Sequence, residues 1–154
     1  MYDIAKVLLF EEGKKLQAYI CSEGYLTVGI GHNLDSDMAI QILGRTLKKG
    51  DNITEKECQE LFDRDLRKVR AGLSLHIPYF TTLTEKYQIL LINMVFQLGI
   101  NGTLAFKNTL QAIKEDKPLQ VAQGIQQSKW FRQTPNRCAR LIKLVKDEQV
   151  KEWL

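Results

Sequence analysis

Metal and disulfide chemistry have little to draw on in this sequence. Its 154 residues include two histidines and three cysteines. Cys21, Cys58 and Cys138 are too widely spaced for a zinc site and odd in number for a disulfide framework. A reduced compartment of synthesis is expected, with no metal and no cofactor. Gly29-Ile30-Gly31 is too short a fragment of a dinucleotide fingerprint to count as one. The N-terminus lacks the basic, apolar and small-residue order of a secretory signal, so no signal peptide is expected. No apolar run reaches the length of a membrane span, so stable membrane insertion is not expected either. Repeats, low-complexity stretches and flexible linkers are missing too, and a single domain over 1–154 follows. Charge of one sign is also scarce, since 22 Lys and Arg against 18 Asp and Glu leave +4. Such a balance leans toward an anionic polymer without choosing one. It is too small and too dispersed for a nucleic-acid binder.

What is present is patterned. Asp3 can cap a helix through Ile4, Val7, Leu8 and Phe10, with Gly13 as its stop. Two alternating runs, 16–21 and 25–30, joined by Ser22-Glu23-Gly24, read as a hairpin, with a short third strand around Asn33 and Leu34. Asp35-Ser36-Asp37 looks like a cap for a helix through Met38, Ile42 and Leu43 that ends near Lys49-Gly50. Thr54-Glu55-Lys56-Glu57 fits a capping box, with Ile53 placed to staple onto Cys58. Leu61, Phe62, Leu66, Val69 and Leu73 then recur at helical spacing for about five turns.

Beyond Pro78 the pattern is all helix. Thr82-Leu83-Thr84-Glu85 offers a second capping box before Ile89, Leu90, Leu91, Ile92, Met94, Val95 and Phe96, a run apolar on nearly all sides and hence central. A loop is expected at 99–102, then helices at 104–114 and 118–128. A last helix starts with Thr134 as cap and Pro135 in its first turn. Cys138, Leu141, Ile142 and Val145 form its apolar stripe, and Arg137, Arg140, Lys143 and Lys146 a basic face that is ordinarily just solvated.

Glu12 falls in the last turn of the first helix, where the negative end of the helix dipole favours a protonated carboxyl, as a general acid requires. Taken alone, a solvated Glu at a frayed end is the plainer reading. His32, taken alone, is likewise a hydrogen-bonded structural residue before it is a catalyst.

Together the motifs resemble the T-even phage lysozyme family. Glu12, eight residues, Cys21, five residues and Thr27 carry the resemblance within Tyr-Ile-Cys-Ser-Glu-Gly-Tyr and Thr-Val-Gly-Ile-Gly-His. It recurs in Leu91-Ile92-Asn93-Met94-Val95-Phe96-Gln97, Phe106-Lys107-Asn108-Thr109-Leu110, Ser128-Lys129-Trp130-Phe131 and Gln133-Thr134-Pro135-Asn136-Arg137. It implies an α+β fold of two lobes with the active cleft between them. One lobe, 13–57, would hold a small antiparallel sheet; a larger helical lobe, 58–154 plus the first helix 1–12, would be joined to it by a long helix.

The resemblance also implies a muramidase cutting the β-1,4 bond between N-acetylmuramic acid and N-acetylglucosamine in peptidoglycan. Glu12 matches the general acid and Thr27 a water-positioning threonine. Glu23, Asn33, Phe96, Thr109 and Gly124 fall at cleft positions that contact substrate. Arg137 matches an arginine that pairs with the catalytic Glu, with Gln97 and Trp130 packed nearby, and His32 and Asp65 match a structural ion pair. The arginine would favour an ionised Glu12, whereas the helix end favours the protonated form. The implied partner is the glycan strand, met by a monomer made in the host bacterial cytoplasm and reaching the wall once the membrane is permeabilised.

Cys21 departs from the family, which usually has Asp there. An ordinary thiol is only slightly ionised near neutral pH, and Lys14 and Lys15 are the neighbouring cations that could lower its pKa. Three readings stay open: a working thiolate, an oxidised sulfinate that mimics a carboxylate, or a homologue that binds glycan and cuts weakly or not at all. Asn33 for a usual Leu, and Gly124 for a usual Asn, are further departures at substrate positions.

Overall fold

The computed structural model describes every residue except Met1 and Ser36, and every side chain except those two and Asp37, Met38 and Ala39. Eight α-helices and one small antiparallel sheet are seen among the described residues, an α+β architecture of the lysozyme kind. The chain divides into two compact units, Met1–Lys68 and Val69–Leu154.

Unit 1 begins with α1, Ile4–Glu12, capped by Asp3, whose carboxylate accepts from the Ala5 N–H at 3.0 Å. It stops at Gly13, whose φ of +71 suits a residue without a β-carbon. Strands β1 (Lys15–Ile20), β2 (Leu26–Gly29) and β3 (His32–Asn33) pair antiparallel in that order. The Cys21 N–H donates to the Tyr25 carbonyl and the Gly24 N–H to the Cys21 carbonyl. Gly24 at φ +87 completes a three-residue hairpin loop ending in a left-handed glycine.

The outer edge of β1 is covered by residues 50–53. The Ala18 N–H donates to the Asp51 carbonyl, Gly50 to Ala18 and Ile53 to Leu16, which leaves little edge open for another chain. Helix α2, Asp37–Leu43, ends well before the expected Lys49-Gly50, because Gly44 turns left-handed (φ +66) and caps it by donating to the Ile40 carbonyl. The expected cap at Ser36 and the Met38 side chain lie outside the described residues.

Helix α3, Glu55–His76, opens with the expected capping box. Glu57 N–H donates to Thr54 Oγ1, and Thr54 N–H to Glu57 Oε1, both at 3.0 Å. Arg45 clamps the other side of Glu57, with Nη1 to Oε2 at 2.7 Å and Nη2 to Oε1 at 3.2 Å. Together these hold the Glu57 pKa down to about 2, the Arg45 hydrogen bond contributing most. Ile53 and Cys58 are both buried and converge on Gly29, where a β-carbon would meet Cys58 Sγ at 3.3 Å.

Unit 2 takes up the rest of α3 and is helical. The second expected capping box does not form. Phe80–Thr82 is a 3-10 turn, Thr82 Oγ1 donates to the Tyr79 carbonyl, and α4 (Glu85–Leu104) starts one step later with Thr84 at its N-cap. The Gln88 amide nitrogen donates to the Phe80 and Leu83 carbonyls at 3.3 and 3.0 Å and so ties the start of α4 back to the turn before it. At Gly99 (φ +74, ψ 170) the helix breaks and then resumes, so the expected loop at 99–102 is a kink with one open residue. Helix α5 is Lys107–Lys114, α6 Pro118–Gln126, α7 Lys129–Gln133 and α8 Pro135–Val145.

Thr134 is the N-cap of α8 by position, but its hydroxyl donates to the Trp130 carbonyl and makes no cap hydrogen bond. Ser128 does cap, accepting from Phe131 N–H at 3.1 Å and so starting the short α7 that periodicity does not reveal. The core of this unit gathers Leu90, Leu91 and Met94 of α4, Ile113 of α5, Val121 and Ile125 of α6, and Leu141 and Val145 of α8, all almost wholly buried. Each such side chain contributes roughly 1.5–3 kcal/mol of burial. Tyr87, buried beside them, donates to Asp116 at 2.8 Å; burial first, then that carboxylate, pushes its pKa far up. No single helix among the described residues is long and apolar enough to cross a membrane.

Candidate active site

In unit 1 the chemistry gathers on one face of the β1–β2 hairpin. Tyr19 stands directly opposite Thr27, and Cys21, two residues past Tyr19, returns to the same face. Thr27 is buried and its hydroxyl donates to the Tyr25 carbonyl at 2.9 Å. Glu23, exposed on the hairpin loop, has a carboxylate oxygen 3.9 Å from Cys21 Sγ.

The Cys21 pKa lies below that of an ordinary thiol. Desolvation pushes it up most strongly of any one influence, and the Glu23 charge adds to that push. Hydrogen bonds from the Tyr25 and Glu23 N–H groups and the Thr27 hydroxyl outweigh both. The neighbouring lysines are engaged elsewhere: Lys14 pairs with Glu55 at 2.9 Å and Lys15 lies 4.3 Å over the Tyr19 ring. Neither is a cause of the lowering, which the Tyr25 and Glu23 N–H groups and the Thr27 hydroxyl produce instead. The Thr27 hydroxyl donates to the Tyr25 carbonyl, and its effect on the thiol comes from its nearness to Cys21.

Glu12, the last residue of α1, is partly exposed. Its carboxyl lies against Gly31, a left-handed residue (φ +66) with no side chain to occupy that space. Beyond Gly31, His32 Nδ1 and Asp65 Oδ2 are 2.6 Å apart, the histidine 3% and the aspartate 19% exposed. That pair ties β3 to α3 and so fixes the turn that passes beneath Glu12. Asn33 is exposed, and its side-chain oxygen accepts from Asp35 N–H at 2.9 Å.

Unit 2 carries its own set. Arg137 is buried, not part of a basic face, and donates from Nε and Nη2 to Asn93 Oδ1 at 3.3 and 2.9 Å. Asn93 in turn donates to the Ile89 carbonyl, so a fully buried amide fixes the guanidinium. Trp130 donates to Gln97 Oε1 at 2.8 Å and packs edge-on against Phe106. Phe96 is half-buried on α4.

Thr109 and Gly124 line a groove of about 600 Å³ with Asn108, Gln120, Gln123 and Gln127. They touch so closely that a β-carbon on Gly124 would collide with Thr109 Oγ1. No cluster of metal-ligating residues occurs among the described residues.

The phage lysozyme family model matches residues 10–148. This chain belongs to the phage lysozyme family. Two relatives from Dictyostelium discoideum, probable T4-type lysozymes 1 and 2, are each 34% identical to it. They cover 92% and 96% of the chain, and the matches span 92% and 95% of their own lengths. A peptidoglycan hydrolase of Pseudomonas phage phiKMV is 32% identical over 93% of this chain, though the match is 15% of that much longer protein.

Within this family member, sequence reasoning singled out Glu12, Cys21 and Thr27, read Gly29 and Gly31 as sites of a bulge or a close backbone approach, and passed over Tyr19 and Asn93. The period of two along β1 was the available signal for Tyr19. The positive φ of Gly31 and the burial of Asn93 are tertiary facts.

Proposed function

We propose that this chain is a muramidase that hydrolyses the β-1,4 bond between N-acetylmuramic acid and N-acetylglucosamine in peptidoglycan. Glu12 protonates the leaving glycosidic oxygen as the bond from that oxygen to the anomeric carbon breaks, because an unprotonated sugar alkoxide is a poor leaving group. Water held by Thr27 adds to the opposite face of that carbon, and the Cys21 thiolate takes its proton. Glu12 ends ionised and Cys21 protonated, and exchange with solvent restores both. The anomeric configuration is inverted, as expected when a base activates water on the far side of the sugar.

One observation carries this assignment of roles: the hairpin pairing sets Thr27 and Cys21 side by side, with the Cys21 N–H bonded to the Tyr25 carbonyl and the thiol pKa lowered, as a base acting on bound water requires. The placement suits a working thiolate, and the alternative reading is a homologue that binds glycan and cuts weakly or not at all. Glu23, Asn33, Phe96, Thr109 and Gly124 are proposed glycan contacts. Arg137, Gln97 and Trp130 act as supports, with Arg137 the proposed modulator of Glu12. The protein acts as a monomer and meets the wall once the membrane has been opened.

The test is product analysis on purified peptidoglycan. Reduction of the fragments with borohydride should convert muramic acid, and not glucosamine, to its alditol. New glucosaminitol, or new free amines from peptide cleavage, would refute the assignment.

A further inference from the structure

We propose that the Tyr19 hydroxyl is a substrate-contacting group, donating a hydrogen bond to a hydroxyl or acetamido oxygen of the saccharide held for cleavage. The proposal rests on the muramidase reading above and adds a residue to it.

Position comes first. Tyr19 is paired directly across from Thr27 and shares the hairpin face of Cys21, so two of the proposed catalytic groups are its strand neighbours. Side chains paired in this way stand about 4.5–5.5 Å apart at their β-carbons, and the phenol reaches several ångströms further out than a threonine hydroxyl. The ring is held in place by the Lys15 ammonium, 4.3 Å from its centroid. Lys15 precedes a register shift in β1, which allows its side chain to fold over that ring.

Availability comes second. The Tyr19 side chain is half-buried, yet its hydroxyl makes no hydrogen bond to any described residue. Two other tyrosines that are not exposed are different: Tyr87 is bonded to Asp116 and Tyr79 to the Leu110 carbonyl. A phenol left open to solvent loses its water when a glycan strand covers it, and an uncompensated hydroxyl is costly to bury. A saccharide oxygen is the acceptor that resolves this.

Protonation comes third. Burial, then the charges of Cys21 and Glu12, push the Tyr19 pKa up, so it remains a donor throughout the working range. The Glu12 charge acting on it places the phenol within the electrostatic reach of both the acid and the base.

The experiment compares Tyr19→Phe with the unaltered protein on soluble peptidoglycan fragments across pH. The Phe variant keeps the ring under Lys15, and thermal unfolding confirms that it folds. The expected result is a 3- to 10-fold loss in kcat/KM, the size of one neutral hydrogen bond, with both limbs of the pH profile unmoved. A binding measurement in the Glu12→Gln background, where no turnover occurs, should show the same loss in affinity for an N-acetylated glycan oligomer. Unchanged kcat/KM and affinity would overturn the proposal. So would a shifted pH limb with unchanged affinity, which would make Tyr19 a modulator of Glu12 and not a contact. If Glu12→Gln itself retains full activity, the muramidase reading fails first, and the two failures are told apart.

Discussion

A β-carbon on Gly31 would lie 2.7 Å from Glu12 Oε2. The proposed general acid is therefore seated on bare backbone, and the room for its carboxyl exists because residue 31 has no side chain. Gly31→Ala should push that carboxyl aside and slow wall clearing on the order of 10- to 100-fold, as expected for a misplaced reacting group. The left-handed backbone at Gly31 adds a stability cost of about 1 kcal/mol. Clearing rates measured well below the melting temperature separate the two effects. Clearing by Gly31→Ala at the unaltered rate would show that the contact does not position the acid.

Cys21→Asp should retain or raise activity, because a carboxylate is ionised throughout the neutral range. Cys21→Ala should lose most of it, roughly 100-fold or more, and thiol alkylation of the unaltered protein should do the same. The deprotonated form is the proposed base, so the rate should fall as pH falls through the thiol pKa. Because that pKa lies below the ordinary thiol value, the limb should appear at lower pH than for an unperturbed cysteine. It should leave the neutral range altogether in Cys21→Asp. Kinetics of alkylation against pH give an independent reading of the same ionisation.

The Arg45–Glu57 clamp makes stability depend on pH in a stated direction. Glu57 has a depressed pKa, about 2 against a usual 4.5, so its contribution is complete above the usual value. It is lost as pH falls toward 2. Arg45 is 45% exposed and the Glu57 side chain 21%, so solvent screening keeps the clamp's contribution small. Urea unfolding at pH 6 and pH 2 should show Glu57→Gln destabilised at the higher pH and nearly equal to the unaltered protein at the lower. An equal deficit at both would mean that the charge is not the cause.

Thr109 and Gly124 should be energetically coupled. Gly124→Ala alone should destabilise unit 2 by about 1–3 kcal/mol through overpacking against the Thr109 hydroxyl, and Thr109→Ala should recover much of that loss. Chemical denaturation of the two single variants and the double variant measures the coupling. Strict additivity would show that the two residues yield independently.

Much of this was legible from the residue pattern, and the remainder was hidden for identifiable reasons. Asp3, Gly13 and the Thr54 to Glu57 box could be read because a cap depends on residues within four positions of each other. The same logic misled at Thr82, where a short 3-10 turn captured the hydroxyl. Helix α2 was read too long because Gly44 was not taken as its stop. Arg137 looked like surface charge because helical spacing cannot show that Asn93, 44 residues away, supplies its acceptor. Glu12, Cys21 and Thr27 were found by resemblance. The groups that seat and surround them, Gly31 and Tyr19, follow from backbone conformation and strand register.

The central claim is that Glu12 supplies the proton that breaks the glycan strand. Its most direct test is release of reducing ends from purified peptidoglycan by Glu12→Gln, with folding verified by circular dichroism and glycan binding measured alongside. The account predicts intact binding with a rate lowered by about 100-fold or more, since glutamine fills the same space and has no proton to give. Reducing ends appearing at the unaltered rate would contradict it.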